Sequence, residues 1–321
     1  MRNKMKAMVI YEPGSPEKFV LEERAIPSVK EGWTLVKIKG FGINHSEIFT
    51  RKGLSPTVQF PRILGIECVG QVVETTRRDL QEGQKIVSIM GEMGRAYDGS
   101  YAEYVLLPNE QIYPVDSQLS WAELAAIPET YYTAFGSFKN MQIKEGDSIL
   151  VRAATSGVGL AFLKLVKAQF PQNRVVGAVR SLAKKDLLQR QGFDEIILDE
   201  RGVLQTEEKF DKILELVGPA TLKNSFDHIQ SAGIICNTGQ LGGKWYVEEF
   251  DPIVEIRNNS YLTSFYSGNV HQQLIDELFS YIDAYKINVS PQRIFSLEQI
   301  PAAHSYIESQ AGFGKVVVLN N

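Results

Sequence analysis

The residues best suited to chemistry lie in the stretch 148–159, SILVRAATSGVG, which runs on into LAFLKLVKAQF. It reads as a buried strand around Ile149, Leu150 and Val151, a turn of small residues, and an apolar helix that opens at the glycines. Small side chains there let a pyrophosphate approach the backbone, where unpaired N–H groups and the positive end of the helix dipole favour negative charge. The strict G-x-G-x-x-G pattern is not met. Its glycine places hold Ala154, Ser156 and Gly159, with Gly157 and Val158 between them. Taken alone, an ordinary strand-to-helix turn accounts for the same residues. The next apolar run, 175–179, favours the cofactor reading. It ends at Arg180, followed by Ser181, Lys184 and Lys185, with no Asp or Glu between Arg174 and Lys185. In a dinucleotide fold an acid at that strand end accepts the ribose 2′-hydroxyl and selects NAD, whereas an arginine neutralises a 2′-phosphate. The expectation is NADP(H), held by Ala154, Ser156, Gly157, Val158, Gly159, Arg180, Ser181 and Lys184. The competing account of the cations, a solvated helix start, sits poorly with the dipole.

The rest of the chain must position that loop. Its 321 residues are 44% hydrophobic and 22% charged, with a formal net charge of −4. That suits a globular chain long enough for two cores and offers no basic stripe for nucleic acid. The opening MRNKMKAMVI has too short an apolar run for a signal peptide or anchor, and no apolar segment approaches about 18 residues. A cytoplasmic location is the default expectation. Cys68 and Cys236 lie in apolar runs and read as buried thiols, not as a disulfide or metal pair.

Short strand-like segments at 6–11, 34–40, 70–74, 85–90, 102–107 and 112–114 predict an all-β unit of barrel or sandwich type. From about residue 128 helices (130–140, 157–169, 182–191, 220–229) alternate with apolar strands (148–153, 174–179, 195–198, 212–216, 233–238). That rhythm predicts an α/β unit whose parallel sheet is covered on both faces, with 261–265 as its sixth strand. An amphipathic helix is expected over 270–285. The strand–helix–strand tail (294–297, 302–310, 315–319) suits the first unit.

Several segments in fixed order resemble the medium-chain dehydrogenase/reductase superfamily: KAMVIYEPGSPE, GFGINHSEIFTRKG, PRILGIECVGQVVE, DGSYAEYVLLP, the nucleotide loop, and IPAAHSYIESQAGFGKVVVL. The resemblance covers nearly the whole chain. It implies a GroES-like β-domain plus a Rossmann domain with a doubly wound parallel sheet. The first takes residues 1–126 as catalytic domain, completed by 266–321, and the second takes 127–265. In the family's zinc enzymes three places hold metal ligands; here they hold Asn44, Ile66 and Glu129, and the stretch 90–104 lacks the cysteines of a structural zinc lobe. Ile66 cannot bind a metal and Asn44 is a poor zinc ligand, so the chain resembles the zinc-independent NADPH:quinone oxidoreductase, or zeta-crystallin-like, branch. His45, His228 and His271 share no metal spacing.

Without a metal, hydrogen-bond donors must stabilise the charge that develops on the acceptor oxygen, or the acceptor must be reactive on its own. Quinones regain aromaticity on reduction, so a quinone or an α,β-unsaturated carbonyl is the expected acceptor. The resemblance implies that Asn44 lies by the nicotinamide, that Ser46 holds the hydroxyl place of the proton relay, and that Arg51 follows in the matching R-x-G run. A glycine-rich turn for Asn44 and a surface loop for Ser46 and Arg51 are the plainer accounts. It also implies that Thr133 and Gly239 lie near the nicotinamide half, and that the protein is a homodimer. Phe49 stands where a tyrosine is common. Tyr131 or Tyr132 could replace that donor, although core packing accounts for both. His304 is expected to pack in the C-terminal helix. The alternative function is a non-catalytic NADPH-binding redox sensor or structural relative.

Overall fold

Strands with one apolar face and charged turns make up most of the N-terminal third, as seen in a computed structural model that describes residues 3–309 and 311–320. Met1, Arg2, Gln310 and Asn321, which the expected domain bounds and C-terminal helix reach, lie outside the described residues. The strands here are β1 (Lys4–Ile10), β2 (Phe19–Ala25), β3 (Trp33–Ile43), β4 (Arg62–Ile63), β5 (Glu67–Thr75), β6 (Lys85–Ile89), β7 (Tyr104–Pro108) and β8 (Tyr113–Pro114). Helix α1 (His45–Arg51) follows β3, and α2 (Trp121–Ala125) and α3 (Pro128–Asn140) follow β8. Next come β9 (Ile149–Arg152), α4 (Gly157–Gln169), β10 (Val175–Val179), α5 (Lys185–Gln191), β11 (Glu195–Glu200), β12 (Val203–Leu204), β13 (Phe210–Glu215), α6 (Leu222–Asp227), β14 (Ile229–Asn237), α7 (Pro252–Glu255) and β15 (Tyr261–Ser264). The chain closes with α8 (Gln272–Ala284), β16 (Arg293–Ser296), α9 (Ile300–Glu308) and β17 (Val316–Leu319).

Two compact units result. The first comprises the chain up to Tyr132, Ser267–Tyr281 and the chain from Val289. Its main sheet has the order β16-β17-β3-β5-β6-β8, with β7 also on β3, and a smaller sheet runs β2-β1-β4. The C-terminal strand enters this sheet antiparallel to β3, with Val317 opposite Gly42. Met8, Ile38, Phe41, Tyr101 and Val318 lie in its core. His304 is fully buried against Tyr101, its Nε2 2.9 Å from the phenol oxygen, and burial holds the imidazole pKa down to about 3. A neutral imidazole that packs and hydrogen-bonds is the result.

The second unit comprises Thr133–Tyr266 and Ile282–Asn288. Its sheet runs β12-β11-β10-β9-β13-β14-β15. The six strands from β11 to β15 pair in parallel, in the doubly wound order of a Rossmann fold, with β12 antiparallel at the outer edge. Every residue of β9 and β10 is buried, as a parallel sheet covered on both faces requires. The segment Ile282–Asn288, expected with the first domain, groups here: Ile282 and Ile287 are buried and the Asn288 carbonyl accepts from Lys164 Nζ at 2.7 Å.

Arg152, at the end of β9, has no exposed surface. Its Nη2 donates to Asp199 Oδ2 of β11 at 2.6 Å, and its Nη1 donates to the Thr221 carbonyl at 3.1 Å and to Ser225 Oγ at 3.0 Å. Ser225 in turn donates to Glu215 Oε2 of β13 at 2.5 Å. A buried guanidinium needs this full set of acceptors, and the set ties together the carboxyl ends of three strands.

Local readings differ from the structure at several elements, three of them instructive. β2 was not expected, because its LEER sequence reads as a charged turn while only Phe19 is buried. The helix expected over 182–191 begins at Lys185, since Ser181 Oγ accepts from the Ala183 N–H and starts a 3-10 turn instead. The strand expected over 233–238 begins earlier, at Ile229, with a register shift against β13.

Candidate active site

β3 delivers the chain to Asn44, the N-cap of α1. The Asn44 side chain turns inward. Its Nδ2 donates to Glu67 Oε1 at 2.8 Å, and its Oδ1 accepts from Lys315 Nζ at 2.8 Å. Lys315 Nζ also bonds Glu67 Oε1 at 2.6 Å, and the two side chains are 8% and 0% exposed. Glu67 Oε2 accepts the backbone N–H of Glu129 at 2.7 Å, and Glu129 Oε1 accepts from Ser267 Oγ at 2.8 Å. Gly42 makes room for the pair: a Cβ there would fall 2.2 Å from Lys315 Cε and 2.3 Å from Glu67 Oε1. Of the three places where the resemblance puts metal ligands, Asn44 contacts the Lys315 ammonium directly, while Glu129 reaches Glu67 through its backbone N–H and turns its side chain to Ser267. The third, Ile66, is buried, has an alkyl side chain, and turns its N–H toward Glu47 Oε1 at 3.4 Å.

Glu47 completes the cluster. It accepts from the Asn44 backbone N–H at 3.2 Å, as the third residue of a capping box does. Burial, with the Glu67 carboxylate beside it, pushes its carboxyl pKa up to about 8, against a smaller opposing pull from Lys315. An ammonium within bonding distance of Asn44 and Glu67 repels a dication, and an alkyl side chain supplies no donor, so these residues do not fit a catalytic zinc. Among the described residues no three of His, Cys, Asp and Glu gather as metal ligands.

Ser46 is half-buried, and its Oγ accepts from Arg95 Nη2 at 2.6 Å. Arg51 lies elsewhere. It is 1% exposed, donates to the Gly14 carbonyl at 3.0 Å and forms an ion pair with Glu308 of α9. Its guanidinium is occupied in tying α1 to the C-terminal helix. Tyr132 OH donates to the Asn269 carbonyl at 2.9 Å and accepts from the His271 N–H at 3.1 Å, which uses its donor and one acceptor. Tyr131 is buried, and burial raises its phenol pKa.

The second unit holds the nucleotide-loop residues. Ala153 adopts a φ of 62°, and Ser156 Oγ accepts from the Gly159 N–H at 3.0 Å to cap α4. A Cβ on Gly159, in the first turn of α4, would lie 3.0 Å from the Ala153 carbonyl oxygen, so a larger residue there would press on the loop. Ala154 is buried against Gly177 of β10, where any added Cβ would fall 2.8 Å from the Ala154 Cβ. Gly157 and Val158 are half-buried at the helix start. Arg180 and Ser181 are exposed at the end of β10; Lys184 is half-buried, and burial lowers its pKa. Thr133 is buried in α3, where its carbonyl accepts from Ser137 Oγ at 2.8 Å; Ser137 Oγ lies 2.9 Å from Thr238 Oγ1, next to Gly239. Gly239 is explained by packing, since a Cβ there would fall 2.2 Å from the Leu216 carbonyl oxygen.

Glu47, Lys315 and Arg95 were not among the expected site residues. A charge inside an apolar run, as in GIECVG and GKVVVL, was the available signal that Glu67 and Lys315 need partners. Nothing in the sequence links Arg95 to Ser46.

A family model described as alcohol dehydrogenase GroES-like domain matches residues 30–117, and one described as zinc-binding dehydrogenase matches residues 191–318. A Sus scrofa protein named quinone oxidoreductase is 23% identical over 332 residues, covering 98% of this chain and 98% of its own. An Arabidopsis thaliana protein named NADPH-dependent alkenal/one oxidoreductase, chloroplastic, is 25% identical over 326 residues, covering 98% of this chain and 79% of its own. The solved structure of the quinone oxidoreductase from Coxiella burnetii has a TM-score of 0.84 at 23% identity, covering 99% of this chain and 100% of that one.

The Glu47 environment sets a pH dependence. Its carboxyl ionises near its ordinary 4.5 when unfolded and near about 8 when folded. Between those values the folded state binds the extra proton, so this group's contribution to stability falls as pH rises. Urea unfolding of wild type and Glu47→Gln should give a stability difference, wild type minus variant, that declines steadily from about pH 5 to about pH 8. A constant difference across that range contradicts a buried neutral carboxyl.

Proposed function

Because the chain belongs to the medium-chain dehydrogenase/reductase superfamily, we propose that it is a zinc-independent, NADPH-dependent oxidoreductase of quinones or α,β-unsaturated carbonyls. The observation that carries the zinc-independent part is the Lys315 ammonium, 2.8 Å from Asn44 Oδ1 and 2.6 Å from Glu67 Oε1. A fixed monovalent cation at that position leaves the chemistry to hydrogen-bond donors and to a reactive acceptor.

NADPH, when bound, supplies the hydride. Ala154, Ser156, Gly157, Val158 and Gly159 would receive its pyrophosphate at the start of α4, and Arg180, Ser181 and Lys184 its 2′-phosphate. Arg180 suits that role because it is exposed and makes no ion pair among the described residues. Thr133 and Gly239 would border the nicotinamide half. In the GroES-like unit Ser46 takes the donor role toward the acceptor oxygen. Asn44, engaged on both sides of its amide, holds the start of α1 in place for it, and Arg51 anchors the other end of that helix. A quinone, which regains aromaticity, needs little such assistance, and an enone, whose oxygen must carry the developing charge, needs more.

A homodimer joined through β15 belongs to the same reading. β15 ends its sheet, and Tyr261 and Leu262 are 60% and 37% exposed there, with Ile253 and Val254 of α7 exposed nearby in sequence. An unprotected apolar edge strand is a template for pairing. The two free, buried cysteines fit a reducing compartment such as the cytoplasm.

NADPH oxidation with an ortho-quinone should be rapid and should survive exhaustive chelation. Bound NADPH with no turnover of any reactive acceptor favours the sensor reading, for which Phe49 in place of a tyrosine is the motive. Arg180→Ala should weaken NADPH binding by about ten- to a hundredfold and leave NADH binding unchanged, measured by fluorescence titration; equal weakening removes the 2′-phosphate assignment. Leu262→Lys should convert the dimer to a monomer in analytical ultracentrifugation, and an unchanged sedimentation coefficient argues for another interface.

A further inference from the structure

The segment between β6 and β7 is built with unusual backbone conformations. Met90 and Glu92 have φ of 58° and 69°, and Gly91 and Gly94 have 59° and 72°. Side-chain-bearing residues rarely adopt such angles unless their surroundings hold them there. The surroundings are on residues 64–66. The Met90 N–H donates to the Ile66 carbonyl at 2.6 Å, and a Cβ on Gly94 would fall 2.6 Å from the Gly65 carbonyl oxygen. Tyr97 OH and Gln111 Nε2 clamp the Gly91 carbonyl at 2.6 and 2.5 Å. Met93 is fully buried. The segment is therefore locked onto the chain that carries Ile66 and Glu67.

What this locked segment presents is Arg95. Its Nη2 donates to Ser46 Oγ at 2.6 Å. Among the described residues no carboxylate pairs with this half-buried guanidinium, and its Nε is buried without a hydrogen-bond partner. A serine oxygen that accepts an N–H from arginine keeps its own O–H for an outside acceptor, and among the described residues that O–H finds none. The cation behind the oxygen polarises the O–H, which makes it a stronger donor. Ser46 lies in α1 two residues after Asn44, whose amide contacts the Glu67–Lys315 pair.

We propose that Arg95 is a positioning residue that aims and polarises the Ser46 hydroxyl as the hydrogen-bond donor to the carbonyl oxygen of the acceptor. This rests on the oxidoreductase reading above. The contact is a hydrogen bond and transfers no proton. The acceptor gains a hydride with its electron pair from NADPH, which is oxidised, and the proton that completes reduction comes from water. The expected consequence is discrimination between acceptors. An enone, which needs its oxygen stabilised, depends strongly on Arg95; an ortho-quinone, driven by aromatisation, depends on it less.

The test compares but-3-en-2-one with an ortho-quinone in the full-length protein, using Arg95→Met, Arg95→Lys, Ser46→Ala and the Arg95→Met/Ser46→Ala double variant. Arg95→Met and Ser46→Ala should each lower kcat on the enone by about a hundredfold and on the quinone by a clearly smaller factor, so that the enone-to-quinone rate ratio falls by about tenfold or more. The double variant should be no slower than either single one, because the two groups act as a unit. Arg95→Lys should recover part of the enone rate, with the NADPH Kd unchanged throughout. Equal losses on both acceptors, or losses that multiply in the double variant, reduce Arg95 to a structural role and overturn the proposal. An unaffected enone rate does the same. Should Arg95→Met fail to fold, Arg95→Lys against Ser46→Ala decides by the same enone-to-quinone ratio. Wild-type protein that reduces neither acceptor overturns the oxidoreductase reading itself and this assignment with it. Active wild type with no enone-specific loss overturns this assignment alone.

Discussion

A lysine ammonium buried between an amide and a carboxylate is the constraint on which the first unit depends. Neither Lys315 nor Glu67 tolerates burial alone, and removing one partner from such a pair costs about 3–5 kcal/mol. Their pairing fixes several features at once. Residue 42 must lack a side chain. Strand β17 must enter antiparallel to β3 in the register that sets Val317 opposite Gly42. Asn44 directs its amide toward Lys315 and Glu67, and the Glu47 carboxyl, which accepts the Asn44 backbone N–H, is buried next to them. The raised Glu47 carboxyl follows from that burial and from the Glu67 carboxylate beside it, against the pull of the ammonium.

The second unit solves a similar problem with arginine. Arg152 is as deeply buried as Glu67, yet it spreads its charge over Asp199, a backbone carbonyl and a serine that leads to Glu215. The guanidinium's planar fork suits such a distributed set, whereas the ammonium of Lys315 concentrates its charge on two oxygens. This difference has chemical weight. A point charge beside Asn44 and Glu67 occupies the coordination that a dication would need, and in the reading proposed above further electrostatic help comes from Ser46 with Arg95.

Sequence patterns carried the architecture further than the site. Continuous apolar runs at 149–151 and 175–179 identified buried parallel strands, and the small residues at 153–159 identified the turn, because both depend on local composition. β2 escaped notice because its charged residues face solvent and only its first residue is buried. At the site, Asn44 and Ser46 were legible through the segment they lie in. Their partners were not. Lys315 and Glu67 lie 248 residues apart and Arg95 and Ser46 lie 49 apart, and no local pattern encodes such pairings. Arg51 illustrates the converse: its position beside the motif suggested chemistry, but its partner on α9, 257 residues away, makes it a tie between elements.

The 248-residue interval between Glu67 and Lys315 also has a meaning in time. At ribosomal speeds of about 5–20 residues per second, Glu67 is added to the chain roughly 12–50 s before its counter-ion. Throughout that interval the nascent first unit carries a carboxylate it cannot bury, and β3 shows an open edge where β17 will lie. The second unit, whose sheet strands all precede Lys315, can complete its Arg152 network while the first still waits. Vectorial synthesis therefore hands the finished Rossmann unit to the chain before the GroES-like unit can close, so the order of assembly reverses the order in which the two units begin.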